Sequence, residues 1–149
     1  MNVPDARQVA VLDRSTKTVL ATWPLNNLSA NYPMAFIEAI HRILVATRKP
    51  AKLVAFDSST GKIVSEVDCA GDADDLFYDS EQKLVYVSCG EGFIDVFAER
   101  DPDHYREVVR IPTVSGARTA LWVPQLRQLF LAVPSGAGQQ AAIRVYQSR

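Results

Sequence analysis

Between Gly71 and Asp75 the chain reads Gly-Asp-Ala-Asp-Asp, three carboxylates in four positions. Hard cations such as calcium take several oxygen ligands, and Asp72, Asp74 and Asp75 would supply part of such a shell. The spacing does not complete an EF-hand loop, because Leu76 stands where a third ligand belongs and no glycine follows it. The alternative role for these acids is to close turns by accepting backbone N–H groups. Arg118 is the cation that either pairs with them or meets an anionic ligand. His41 and His104 are the two histidines. Acid–base or metal work requires partners at fixed geometry. Asp101 and Asp103 do lie near His104, but both histidines read as surface residues of turns. Cys69 and Cys89 form neither a Cys-x-x-Cys pair nor a zinc pattern. They are either one disulfide or two buried thiols. No Gly-x-Ser-x-Gly elbow and no Cys–His nucleophile pairing occurs. Gly90-Glu91-Gly92 lacks the third glycine and the following helix of a dinucleotide loop, so it reads as a hairpin turn. The haem motif Cys-x-x-Cys-His is absent. No catalytic residue is assigned.

The elements that must carry these residues follow from composition and repetition. The 149 residues are 48% apolar and 22% charged, enough for one domain with a real core. Net charge is −1 with both signs scattered, which leaves no basic stripe for nucleic acid and no patch for an anionic membrane. No apolar run reaches the roughly 18 residues of a spanning helix. The longest, Met34 to Ala46, is interrupted by Glu38, His41 and Arg42. No basic-then-apolar export signal is legible at the N-terminus.

The chain repeats itself. Val-Ala-Val-Leu-Asp at Val9 matches segments at Leu53, Ile94 and Ile143, in steps of 44, 41 and 49 residues. Val19, Ile63 and Val108 form a second register, in steps of 44 and 45. Phe36, Phe77 and Trp122 form a third, and Ile43, Leu84 and Leu129 a fourth, both in steps of 41 and 45. Chance similarity between apolar stretches would not hold phase in four registers. Each unit thus has four short β-branched or aromatic segments, mostly separated by turn chemistry such as Asp-Ser-Ser-Thr-Gly-Lys.

Four strands per ~40–45 residues predict a propeller blade. The expected fold is all-β, a partial β-propeller of about 3.5 four-stranded blades in a single domain. The blades fall at about 1–25, 34–67, 75–112 and 119–147, two complete and two incomplete. Met34–Arg48 also carries the i, i+3, i+4, i+7 spacing of an amphipathic helix. The repeat decides for strand–turn–strand, because Ile37–Arg42 occupies the place of turns in the other units. Phe77, Tyr78, Tyr86, Phe97 and Trp122 are expected to pack between blades.

Two copies carry the idiom V-x-V-x-D-x-x-T-x-x-V, with Asp13, Thr16 and Val19 in one and Asp57, Thr60 and Ile63 in the next. Ala98 and Gln147 depart from it in the other two. On these residues the chain resembles the YVTN-type β-propellers, the group that includes the YncE-like proteins. In such propellers the Asp-Leu-Phe-Tyr-Asp type of strand is innermost and the Arg-Glu-Val-Val-Arg-Ile-Pro type outermost. The first blade then lacks its inner strand and the last its outer strand, as in the C-terminal half of a longer propeller. A second copy forming a homodimer, or a separate half-propeller chain, would close the ring. The residues ahead of each inner strand would line the channel mouth: Asn31 and Tyr32; Asp72, Asp74 and Asp75; Arg118 and Thr119. The resemblance implies a periplasmic or extracellular protein. The expected function is a non-enzymatic scaffold for a protein or small-molecule ligand, with no evident cofactor beyond a divalent cation at the three aspartates. The alternative is part of a propeller enzyme of the lactone-hydrolase or redox-cofactor type, with a metal or anion site at the mouth.

Overall fold

The computed structural model describes residues 1–136 and 138–148. Among them fourteen strands form four antiparallel sheets. The first holds β1 (Asn2–Val3), β2 (Gln8–Leu12) and β3 (Val19–Pro24). The second holds β4 (Met34–Ile37), β5 (Arg42–Arg48), β6 (Ala51–Asp57) and β7 (Ile63–Asp68). The third holds β8 (Ala73–Asp79), β9 (Leu84–Cys89), β10 (Phe93–Asp101) and β11 (His104–Pro112). The fourth holds β12 (Ala120–Val123), β13 (Gln128–Val133) and β14 (Ala142–Gln147). Each sheet is ordered as the chain runs, which makes it a meander.

Bulges fix which strands are equivalent. The register slips at Val11/Leu12, Ala55/Phe56 and Val96/Phe97, the same point of the repeat in β2, β6 and β10. Those three are therefore third strands of their blades, and β3, β7 and β11 are the outer ones. The first sheet contains strands two to four, with the second reduced to Asn2–Val3. The fourth sheet contains strands one to three. The described residues thus form an arc of two complete blades between two three-stranded ones, as the repeat predicts.

Met34–Arg48 is strand, turn, strand. A single 3-10 turn at Glu38–Ile40 ends on His41, whose φ of 53° reverses the chain. Pro124–Leu126 and Arg127 repeat this device in the last blade. The apolar spacing that imitates a helix comes from two strands with alternating faces, joined by a turn three residues long. Asp13 and Asp57 close their turns in the same way. Each Oδ1 accepts the backbone N–H groups two and three residues on, at 2.7 and 3.0 Å for Asp13 and 3.0 and 2.9 Å for Asp57. The Ser15 hydroxyl and the Thr16 and Ser15 amides hold the Asp13 carboxyl below its ordinary range. The Thr60 amide and hydroxyl hold that of Asp57 low.

Apolar layers between neighbouring blades make the core. Val9, Trp23, Leu28, Val54 and Phe56 pack between the first and second. Leu44, Leu53, Leu76, Val85 and Phe97 pack between the second and third. Tyr86, Ile94, Trp122 and Leu131 pack between the third and fourth. Burying each such side chain contributes about 1.5–3 kcal/mol, so the layers, rather than surface charges, hold the arc. Arg42 adds a polar bolt between two blades: Nη1 reaches Asp57 at 2.9 Å, while Nε and Nη2 reach Asp103 Oδ1 at 2.9 and 2.7 Å. Cys69 and Cys89 are free thiols, both buried in the layer between the second and third blades. No helix among the described residues is long and apolar enough to cross a membrane.

Candidate functional site at the channel mouth

Antiparallel pairing places the start of each inner strand beside the end of the second strand of its blade. Met34 lies opposite Val45, and Ala73 opposite Cys89. The loops before β4, β8 and β12 therefore meet the ends of β5 and β9 at one end of the arc. Asp72, Asp74, Asp75 and Arg118 come together there.

Asp72 adopts a left-handed conformation, φ 59°, and its carbonyl accepts the Gly90 amide at 2.9 Å. Its carboxylate then lies across Gly90, in space that a Cβ there would occupy. This is the use of the first glycine of Gly90-Glu91-Gly92. Glu91 turns back and accepts the Gly71 amide at 2.6 Å. The acids do not stand free. Arg48, at the end of β5, reaches Asp72 Oδ1 and Asp74 Oδ1, each at 2.7 Å, and donates from Nε to the Ala73 carbonyl at 2.9 Å. Arg118 closes on the other oxygens, with Nη1 2.5 Å from Asp72 Oδ2 and Nε 3.8 Å from Asp74 Oδ2. The Asp72 contact raises the Arg118 guanidinium further above its ordinary value, so it stays charged. The Arg48 guanidinium lies 4.4 Å from the centre of the Tyr32 ring, within cation–π range. Three successive blades thus share one lattice of two arginines and two carboxylates.

The other predicted mouth residues divide. Tyr32 is half exposed over Arg48. Asp75 points away from the lattice and accepts the Ala120 amide at 2.8 Å, tying the third blade to the fourth. Burial pushes its carboxyl up, and Asp74 beside it adds to the shift. Asn31 is wholly buried and does not face the mouth. Its Nδ2 donates to Asn2 Oδ1 at 3.0 Å and to the Gln8 carbonyl at 3.1 Å, holding the loop onto the first blade. Thr119 receives the Ala132 amide on its carbonyl at 2.9 Å. No group of three or more His, Cys, Asp or Glu side chains among the described residues is arranged to hold a metal ion. His104 binds Asp101 at 2.8 Å on the surface and His41 serves the turn after β4, both away from the mouth.

Sequence reasoning missed Arg48. The signal was present: a charged residue closing the apolar run of a second strand sits at the mouth by antiparallel geometry. It also missed a cleft of about 630 Å³ at the opposite end of the inner strands, lined by Ile37, Ile40, Phe77, Tyr78, Glu99 and Trp122. The nearly buried Glu99 carboxylate accepts the Tyr78 hydroxyl there at 2.6 Å, with Lys83 Nζ 3.8 Å away. Burial, then the Glu99 bond, pushes the Tyr78 phenol up, so it remains a donor.

Meandering four-stranded blades stacked face to face, with a shared mouth at the start of their inner strands, define a β-propeller fold. Solved structures agree. The chain superposes on Kuenenia stuttgartiensis hydrazine synthase with a TM-score of 0.83 over 97% of its length, at 15% identity. It superposes on a chain of the mitotic checkpoint complex with a TM-score of 0.79 over 97%, also at 15% identity. Saccharomyces cerevisiae Sqt1 gives a TM-score of 0.66 over 94%, at 13% identity. The chain covers 41%, 44% and 35% of those three chains respectively, which is less than half of each. No family model and no curated protein sequence matches it.

Proposed function

We propose that this chain is a segment of a non-enzymatic β-propeller that binds a protein or small-molecule ligand at the channel mouth. The observation behind this reading is the Arg48–Asp72–Asp74–Arg118 lattice. It fixes four charged side chains from adjacent blades, with both carboxylates held by guanidinium groups. Such a platform offers guanidinium N–H groups, carboxylate oxygens and the Tyr32 face to a polar ligand, and its charges are already paired, so little reorganisation is needed on binding. A divalent cation at Asp72, Asp74 and Asp75 would have to displace both arginines. The YVTN-type, YncE-like reading rests on the Asp13 and Asp57 turns, whose hydrogen bonds give the idiom its structural reason. An exported protein goes with that reading. The ring would be completed by additional blades, from a second copy or another polypeptide. One structural neighbour is titled a putative 6-phosphogluconolactonase. A likeness at 11% identity carries the fold and not that activity.

The test is to map binding by amide chemical-shift changes while titrating small carboxylates, phosphates and amines. Changes centred on Arg48, Asp72, Asp74 and Arg118, lost in Arg118→Ala, are the expected result. Changes centred elsewhere, or hydrolysis of a lactone panel that Arg118→Ala abolishes, would overturn the reading.

A further inference from the structure

The third blade carries an acid at a place where the repeat puts serine. Ser58, Glu99 and Ser148 stand at or just past the ends of the third strands of successive blades. Each amide donates to the carbonyl of the left-handed residue just before the second strand: Ser58 to His41 at 3.0 Å, Glu99 to Lys83 at 2.9 Å and Ser148 to Arg127 at 2.9 Å. At the interface of the third and fourth blades the serine is answered. Ser148 Oγ lies 2.9 Å from the Tyr86 hydroxyl and donates to Gln82 at 2.7 Å, and the cavity beside it holds only about 50 Å³. Between the second and third blades the corresponding place opens into the cleft of about 630 Å³. Glu99 forms the polar end of that cleft, with its side chain only 2% exposed. Oε2 accepts the Tyr78 hydroxyl at 2.6 Å, while Oε1 accepts no hydrogen bond among the described residues. Lys83 Nζ stands 3.8 Å from Oε1, on a side chain 65% exposed to water. Tyr105, opposite Glu99 across the β10–β11 ladder, keeps its buried hydroxyl without a partner among the described residues, so it does not answer the acid either. Burying a carboxylate on one neutral donor is unfavourable unless a cation meets it.

We propose that this cleft binds a small arylalkylammonium ligand, with its ammonium on Glu99 Oε1 and its apolar body against Phe77, Ile40 and Trp122. The ligand's ammonium takes the place of Lys83 Nζ and supplies the charge-assisted hydrogen bond that Oε1 lacks. Charge decides the sign of the ligand: Glu38 and Glu99 face the cleft against Lys83 alone, so an anion meets net repulsion. The Phe77, Tyr78 and Trp122 rings favour a cation over a neutral molecule of the same shape. The volume falls within the roughly 300–1,000 Å³ of small-molecule sites, which combine an apolar lining with a few placed polar groups. The two blades that form the acidic end are both complete, so that end does not depend on what lies beyond either terminus of the arc. The cleft shares no residue with the Arg48–Asp72–Asp74–Arg118 lattice and stands even where the mouth binds nothing.

The probe is phenethylammonium, titrated into the whole chain and followed by amide chemical shifts. Hydrocinnamate, matched in shape and opposite in charge, and methylammonium, which has the charge and no apolar body, are the controls. Phenethylammonium is expected to bind at least about tenfold tighter than either control, with shifts centred on Tyr78, Lys83 and Glu99. Methylammonium should not be held, so small polar ions still report on the mouth alone. Glu99→Gln keeps an acceptor for Tyr78 and should weaken binding about 10–100-fold, the worth of a hydrogen bond between charged groups. Lys83→Gln removes the resident cation from an exposed position and should tighten binding about 2–5-fold. A carboxylate with a purely structural role would not give that gain. No binding of the amine, equal binding of amine and carboxylate, or shifts centred away from Glu99 would each overturn the proposal. So would an affinity unchanged in Glu99→Gln or not improved in Lys83→Gln.

Discussion

Asp95 and Arg110 offer a test of how the third blade is held, because the two ends of their bridge are unequal. The Asp95 carboxylate is wholly buried. It accepts from Arg110 Nε at 2.7 Å and Nη2 at 3.0 Å, and from the Ala70 amide at 2.6 Å. Arg110 is 38% exposed and keeps a second carboxylate, Glu107, at 2.8 Å. Removing Asp95 therefore leaves a guanidinium that water and Glu107 still satisfy. The main loss in Asp95→Ala is the acceptor for the Ala70 amide, which costs about 1–3 kcal/mol. Removing Arg110 strands a buried carboxylate with one remaining donor, and breaking a buried pair that way costs about 3–5 kcal/mol.

Arg110→Met should thus destabilise more than Asp95→Ala, although it removes the more exposed partner. In urea, with m near 1–3 kcal/mol/M, the Arg110→Met loss moves the midpoint by roughly 1–5 M at unchanged m. The double variant should cost less than the sum of the singles, because the stranded carboxylate is gone. If Arg110→Met costs no more than Asp95→Ala, or both fall below about 1 kcal/mol, the bridge is not desolvated as its burial implies and the argument fails. The mouth is coupled to this bridge, since Ala70 leads directly into Gly71 and Asp72. Shifted amide signals at Asp72 in Asp95→Ala are the corresponding local readout.

Asp75 has a native pKa raised by burial, so its effect favours the fold below its unfolded value near 3.8 and is lost as pH rises through the raised native value. Asp75→Asn keeps an acceptor for Ala120 and should remove that loss. Thermal melts from about pH 3 to about pH 7 should show the variant gaining on wild type as pH rises, and a constant gap would refute this. The neighbouring Cys69 thiol, then burial, pushes the Cys89 thiol up, so a thiol-reactive chromophore should label neither cysteine in native protein and both in denaturant. Rapid native labelling would contradict the buried dithiol. Gly90→Ala places a Cβ where the Asp72 carboxylate and Arg118 Cδ lie, so it should loosen the mouth while leaving the blade layers intact. Amide shifts confined to residues around Asp72, Arg48 and Arg118 would bear this out, and an unchanged mouth would not.

The fold was legible because it repeats. A propeller blade buries both faces of a sheet against its neighbours, so every blade needs the same alternation at the same period, and four registers in phase leave little else for the chain to form. The Asp13 and Asp57 turns were legible for a similar reason, because one carboxylate capping two amides imposes a fixed local spacing. The site was harder to read. The acidic run was visible, but the charges that neutralise it lie 24 residues before Asp72, at Arg48, and 46 after it, at Arg118. Only antiparallel pairing brings them to one end. Asn31 misled for the converse reason: its position in the repeat is that of a mouth residue, yet its side chain turns inward to Asn2 and Gln8. Periodicity locates backbone, and within one register it does not say whether a polar side chain meets water or another loop.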